Sequence, residues 1–178
     1  MVRDEQLADR LRSHILDVPD FPRPGVTFRD ITALLADASA FTEAVDAMAE
    51  PFRGDAVSAV AGVESRGFIL GGAIARALGA GFITVRKQGR LPRPTVTEAY
   101  RLEYGEAVIE AHADAVTDGE AVLIVDDLLA TGGTAAAAAS LLSRLGARIV
   151  GLSFLVELAG LGGAAALGSR RHTSLVVL

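Results

Sequence analysis

The chain has 178 residues, enough for one well-buried domain and too few for two. Hydrophobic residues make up 51% and charged residues 22%, with no apolar run near the roughly 20 residues of a membrane span, so a soluble chain with no membrane partner is expected. A formal charge of −5 without a basic run argues against nucleic acid as a partner, and the absence of cysteine excludes disulfides and thiolate metal sites. Residues 1–6 show no hydrophobic signal core, so a cytoplasmic location is the expectation.

Leu7, Leu11 and Ile15 recur at four-residue intervals and predict a short amphipathic helix that Pro19 cannot join. The Pro- and Gly-rich residues 20–25 then predict an ordered arm lying over the rest of the chain. Ser39 is expected to cap a helix carrying Phe41, Val45, Met48 and Phe52 on the face that packs against a sheet. Strands are predicted at 56–63, 82–85, 122–125 and 149–156, with helices at 67–78 and from Ala135 to about Leu145. Strands without polar alternation, separated by helices, imply an α/β fold with a mostly parallel central sheet covered on both faces. Residues 88–103 show little apolar periodicity, and so long a loop in a compact domain predicts a lid.

The run Val122-Leu123-Ile124-Val125-Asp126-Asp127-Leu128-Leu129-Ala130-Thr131-Gly132-Gly133-Thr134 carries the clearest chemistry. A buried strand closes on two carboxylates, which accept from ribose hydroxyls, and a small-residue turn enters a helix whose N-terminal amides attract phosphate. Glu64-Ser65-Arg66-Gly67, Arg86-Lys87 and Asp126-Asp127 all fall at the carboxyl ends of predicted strands, where open α/β sheets collect their ligands. Lys87 is the single lysine among 17 basic residues. The turn lacks the lysine of a Walker loop, and no Gly-x-Gly-x-x-Gly follows the first strand. His14, His112 and His172 lack metal-ligand spacing, and Ser65 has no base near it in sequence for nucleophilic work.

Residues 122–134 closely resemble the phosphoribosyl-pyrophosphate motif of the type I phosphoribosyltransferases. Asp20-Phe21-Pro22-Arg23-Pro24-Gly25-Val26-Thr27-Phe28-Arg29-Asp30-Ile31-Thr32, Gly62-Val63-Glu64-Ser65-Arg66-Gly67-Phe68, Arg86-Lys87-Gln88-Gly89-Arg90-Leu91-Pro92, Leu102-Glu103-Tyr104-Gly105 and Val156-Glu157-Leu158 resemble, in order, the signatures of the adenine phosphoribosyltransferase family. Two departures stand out: Ala33 where proline is usual, and a short divergent tail after Gly168.

The resemblance implies a single domain over residues 1–178, with an N-terminal hood over about 1–36 and a flexible lid loop over about 88–103. It implies a purine salvage enzyme that converts adenine and 5-phosphoribosyl 1-pyrophosphate to AMP and pyrophosphate with Mg2+, as a homodimer. Ala130, Thr131, Gly132, Gly133 and Thr134 would then hold the 5′-phosphate, and Asp126 and Asp127 the ribose hydroxyls, directly or through metal-bound water. Ser65, Arg66, Lys87 and Arg90 would receive pyrophosphate, with Arg66 also counted as catalytic. Glu103 would handle the proton of the adenine ring, while Thr27, Phe28, Arg29, Leu129 and Leu158 would enclose the base. No residue is expected to ligate the metal directly: the substrate carries Mg2+, with water between it and Asp126 and Asp127. A 6-oxopurine transferase and a non-catalytic phosphoribosyl-pyrophosphate-sensing regulator stand as alternatives; the absence of a basic surface disfavours the regulator.

Overall fold

The Asp37 carboxylate accepts from the backbone N–H groups of Ser39 and Ala40 at 3.0 and 2.9 Å and so opens the first long helix of the chain. This corrects the expected Ser39 cap: a side chain caps the amides two and three residues ahead of it, and the carboxylate that reaches them belongs to Asp37. The computed structural model of the chain describes residues 5–101 and 106–178. Helix α1 (Glu5–Arg12) leads into a two-stranded antiparallel ribbon, β1 (Leu16–Val18) with β2 (Phe28–Asp30), followed by α2 (Thr32–Ala36) and α3 (Ala38–Ala49). Phe52, expected on α3, lies in the 3-10 turn beyond it and is fully buried there.

The remaining elements are β3 (Ala59–Val63), α4 (Arg66–Leu78), β4 (Gly81–Lys87), β5 (Thr95–Arg101), β6 (Glu106–His112), β7 (Ala121–Leu129), α5 (Gly133–Arg144), β8 (Arg148–Glu157), α6 (Gly163–Leu167) and β9 (His172–Val177). They build one sheet in the order β5-β6-β4-β3-β7-β8-β9. The pairs β3/β4, β3/β7, β7/β8 and β8/β9 are parallel, whereas β4/β6 and β5/β6 are antiparallel. The α/β architecture with a mostly parallel sheet is therefore as expected, with an antiparallel hairpin on one edge.

Both faces of the sheet are buried, and the strand period of two divides them. Ala59, Ala61, Val122 and Ile124 point into the layer under α5, among Ala138, Leu141 and Leu142. Val60, Leu123 and Val125 point the other way, into the layer formed with Leu70 and Ile74 of α4 and with Met48 of α3.

The expected loop over 88–103 is only partly irregular, because Thr95–Arg101 is a strand paired residue for residue with β6, from Thr95 opposite His112 to Arg101 opposite Glu106. Its alternating residues Val96, Glu98 and Tyr100 turn inward: Val96 and Tyr100 pack on the core, and Glu98 accepts from Ser140 of α5 at 2.9 Å. The strand expected to stop at Val125 runs on through the two carboxylates to Leu129. The tail after Gly168 supplies the last edge strand, β9, parallel to β8.

Candidate active site

The carboxyl ends of β3, β4 and β7 open onto one cleft of about 430 Å3. Of the residues singled out in the sequence, Ser65, Arg66, Lys87, Asp126, Asp127, Leu129 and the whole run from Ala130 through Thr134 line it. Glu64, Arg86 and Tyr100 line it too. Three segments far apart in sequence thus converge as the strand-end positions required.

The floor is the β7–α5 connection. Gly132 takes φ +80° as the residue before α5, a left-handed conformation that glycine adopts without strain. A Cβ placed on Gly132 would stand 2.6 Å from the carbonyl oxygen of Gly163, so the turn is also packed too closely for a side chain. No side chain caps α5, which leaves the amides of its first turn facing the cleft with the positive end of the helix dipole. Thr131 is exposed, and Thr134 donates from Oγ1 to the Tyr100 phenol oxygen at 3.1 Å.

The acidic pair is unequal. Asp127 is buried, at 7% exposure, and its carboxylate receives Arg66 Nε and Nη2, each at 2.7 Å. Asp126 is partly exposed and accepts the backbone N–H of Asp127 at 2.9 Å. Desolvation holds the Asp126 carboxyl well above its ordinary range, and the negative charge of Asp127 pushes it the same way. Gly67 keeps the α4 start against this strand, since a Cβ there would meet Asp126 Oδ1 at 2.8 Å.

The opposite wall is held by a second ion pair. Arg86 meets Glu64 from Nε and Nη2, both at 3.2 Å, and the Lys87 backbone N–H donates to the same carboxylate at 3.1 Å. The Arg86 hydrogen bonds hold Glu64 below the usual carboxylate range. Arg86 also donates to the Arg90 carbonyl at 2.9 Å, while Glu110 accepts the N–H groups of Arg90 and Leu91, each at 2.8 Å. The Arg90 backbone is thereby anchored to β6, and Arg86 is the arginine of this segment that lines the cleft.

The base-side residues are dispersed. Phe28 lays its ring against Arg66, with the guanidinium carbon 4.6 Å from the ring centroid, and meets Phe21 edge-on at 5.3 Å. Arg29 turns to an ion pair with Asp17 across the β1/β2 ribbon, and Thr27 is exposed. Leu129 is buried beneath the cleft, and its carbonyl accepts the Leu158 N–H at 2.9 Å. Thr27, Phe28, Arg29 and Leu158 do not line the cleft itself. Glu103 lies outside the described residues. Tyr100 and Ile109 are cleft residues without a local motif; for Tyr100 the inward alternation Val96-Glu98-Tyr100 is the signal that marks it.

A parallel-sheet crevice with an acidic strand end and an open helix N-terminus is the arrangement of a phosphate-ester site. The phosphoribosyl transferase domain family matches residues 32–166. Adenine phosphoribosyltransferase of Jannaschia sp. (strain CCS1) is 56% identical over 155 residues, covering 87% of each chain. That of Myxococcus xanthus is 53% identical over 173 residues, covering 97% of this chain and 94% of the relative. The crystal structure of adenine phosphoribosyltransferase from Rhodothermus marinus superposes with a TM-score of 0.95 at 45% identity, covering 98% of this chain and all of the other. The Saccharomyces cerevisiae structure, complexed with adenine and an imino-altritol bisphosphate, gives 0.90 at 34% identity, covering 97% of this chain and 99% of the other. The chain belongs to the phosphoribosyl transferase family and, within it, to the adenine phosphoribosyltransferases.

Proposed function

We propose that the chain transfers the 5-phosphoribosyl group of 5-phosphoribosyl 1-pyrophosphate to adenine, forming AMP and releasing pyrophosphate, as a step of purine salvage. The observation that carries this reading is a single cleft in which Asp126 and Asp127 lead directly into the open N-terminus of α5, opposite Arg66 and Lys87. The Saccharomyces cerevisiae relative, bound to adenine together with a sugar-like bisphosphate, supports the pairing of ligands.

In this reading the amides and hydroxyls from Ala130 through Thr134 grip the 5′-phosphate, and Asp126 and Asp127 accept from the ribose hydroxyls. The bond between ribose C1 and the pyrophosphate oxygen breaks as N9 of adenine bonds to C1. Positive charge grows on the sugar and negative charge on the leaving group. Ser65, Arg66, Lys87 and Arg90 stabilise the departing pyrophosphate, so little reorganisation accompanies the step. Arginine grips phosphate in a fork, whereas lysine supplies a compact charge. Glu103 takes the role of proton acceptor from the adenine ring by family resemblance, and Thr27, Phe28, Arg29, Leu129 and Leu158 form the base side.

Among the described residues no group of three His, Cys, Asp or Glu side chains is placed to hold a metal ion. Two carboxylates in a phosphate cleft nevertheless fit Mg2+, which takes one or two carboxylates and completes its shell with water and substrate oxygens. Carried by the substrate, it would be met by Asp126 and Asp127 through water, and it would neutralise charge on the pyrophosphate. A homodimer in the cytoplasm completes the reading. Among the described residues no helix is long and apolar enough to cross a membrane, and the exposed Ile69 and Phe82 offer apolar surface to a second copy. Sedimentation tests the dimer.

The test of function is AMP formation by the purified protein from adenine, 5-phosphoribosyl 1-pyrophosphate and Mg2+, run beside hypoxanthine and guanine. Use of the 6-oxopurines with no use of adenine overturns the substrate; no turnover with any base overturns the reaction. A Glu103→Ala variant is expected to lose turnover far more than phosphoribosyl-pyrophosphate affinity.

A further inference from the structure

Strand β5 does more than close the sheet edge, because its inward face runs along α5, the helix whose N-terminus floors the cleft. Far from the cleft Glu98 binds Ser140 and pairs with Arg144, and Arg144 also donates to the Thr97 carbonyl at 3.1 Å. At the cleft end the contact changes character: Tyr100 meets Thr134 hydroxyl to hydroxyl at 3.1 Å. Two hydroxyls joined by one hydrogen bond spend one of their two protons, so one O–H remains to be directed elsewhere. Tyr100 is partly buried and its ring packs on the core, so the phenol is held in place beside the uncapped first turn of α5. A dianion there would receive that remaining proton as a charge-assisted hydrogen bond, while the Tyr100 oxygen fixes the rotamer of Thr134.

We infer that Tyr100 is a positioning residue for the phosphate end of the substrate, fixing the Thr134 side chain and leaving the hydroxyl pair one O–H to direct at the phosphate. The inference rests on the sugar-phosphate site proposed above. Tyr100→Phe keeps the ring and its packing and removes only the hydroxyl. The expected result is about a tenfold weaker binding of ribose 5-phosphate by calorimetry, a matching rise in KM for 5-phosphoribosyl 1-pyrophosphate, and an unchanged KM for adenine. Glu98→Gln serves as the structural control: it loosens the same strand from the same helix away from the cleft, and should lower Tm while leaving ribose 5-phosphate affinity within twofold of the parent.

Three outcomes overturn the inference. Equal binding of ribose 5-phosphate by the parent and Tyr100→Phe removes Tyr100 alone. Equal weakening of ribose 5-phosphate by Glu98→Gln and Tyr100→Phe reduces Tyr100 to scaffold. A parent that binds no ribose 5-phosphate removes the sugar-phosphate site and Tyr100 with it.

Discussion

Arg66 at the start of α4 places Nε and Nη2 on a single oxygen of Asp127 near the end of β7, each at 2.7 Å. In the proposed reaction the pair would bridge the pyrophosphate side of the cleft to its ribose side. Its members are unequally buried, with 27% of the Arg66 side chain exposed against 9% of Asp127. The carboxylate therefore depends on the arginine more than the reverse. A pyrophosphate drawn to Arg66 meets a guanidinium already oriented by Asp127.

Arg66→Ala is expected to lower kcat/KM by about 100-fold or more, the cost of removing one fixed donor from a charge-separating step. Arg66→Lys should recover little of it, since an ammonium cannot reproduce the fork. The Ala variant should also lose about 1–3 kcal/mol of stability, because Asp127 is left buried and unpaired. Adding Asp127→Asn to Arg66→Ala should restore Tm without restoring turnover. Calorimetric melts and steady-state rates on the four proteins separate the two effects, and a Tm unmoved by either change would show that the pair carries no stability.

Gly132→Ala meets two independent obstacles. The residue sits at φ +80°, and the new Cβ would lie 2.6 Å from the Gly163 carbonyl oxygen and 2.8 Å from the Ala166 Cβ. The left-handed conformation costs about 1–2 kcal/mol for an L-residue, and overpacking about 1–3 kcal/mol more. Relief requires the loop to move off α6, which shifts the amides of the phosphate cradle. Tm should fall, and ribose 5-phosphate affinity should fall at least about tenfold, the worth of one lost charge-assisted hydrogen bond. Gly160→Ala is the matched control: nothing lies within 4 Å of its Cβ position, so its effect should stay within about 0.5 kcal/mol. Equal melts for the two variants would contradict the packing account.

Glu110 gives the fold an acid-sensitive point. It is buried on β6 and accepts from the N–H groups of Arg90 and Leu91 and from the Thr95 hydroxyl. Burial alone favours the neutral acid, but the backbone donors, Gly89 among them, outweigh it and hold the carboxyl below its ordinary value. The folded state then binds fewer protons than the unfolded chain between the lowered pKa and the unfolded value of about 4.3. The stabilisation is fully present above the unfolded value and is lost as pH falls through the folded one. Glu110→Gln should therefore melt lower than the parent at pH 7, with the gap closing below about pH 4. A gap that stays constant down to pH 3 would assign the effect to shape rather than charge.

Much of the β7–α5 floor was legible because its signals are local. Four consecutive apolar residues, 122–125, read as a doubly buried strand, and the carboxylates and small-residue turn follow without interruption. Where partners lie far off in sequence, the reading failed. Thr95-Val96-Thr97-Glu98-Ala99-Tyr100 reads as part of a lid loop because the groups that bury its polar face, Ser140, Arg144 and Thr134, are about forty residues downstream. Sequence likewise cannot show that the Arg90 amide is held by Glu110, twenty residues on, while Arg86 lines the cleft beside Glu64. Asp37 and Ser39 are equally good capping types, and only the geometry of the turn chooses between them.

Phe28 couples the β1/β2 ribbon to Arg66. One face of its ring is taken by the Arg66 guanidinium at 4.6 Å, and Phe21 meets it edge-on. A ring that served the base alone would have no reason to touch the pyrophosphate arginine. Here the ring supports Arg66 from one side while Asp127 holds it from the other. Phe28→Leu preserves apolar bulk and removes the π-face. The lost cation–π contact is worth about 0.5–1 kcal/mol at a partly exposed site, so KM for 5-phosphoribosyl 1-pyrophosphate should rise about two- to fivefold. KM for adenine should rise as well if the ring also stacks the base. A rise for adenine alone would confine Phe28 to the base side; a rise for 5-phosphoribosyl 1-pyrophosphate alone would make it a prop for Arg66 and leave the base to be held by other parts of the hood.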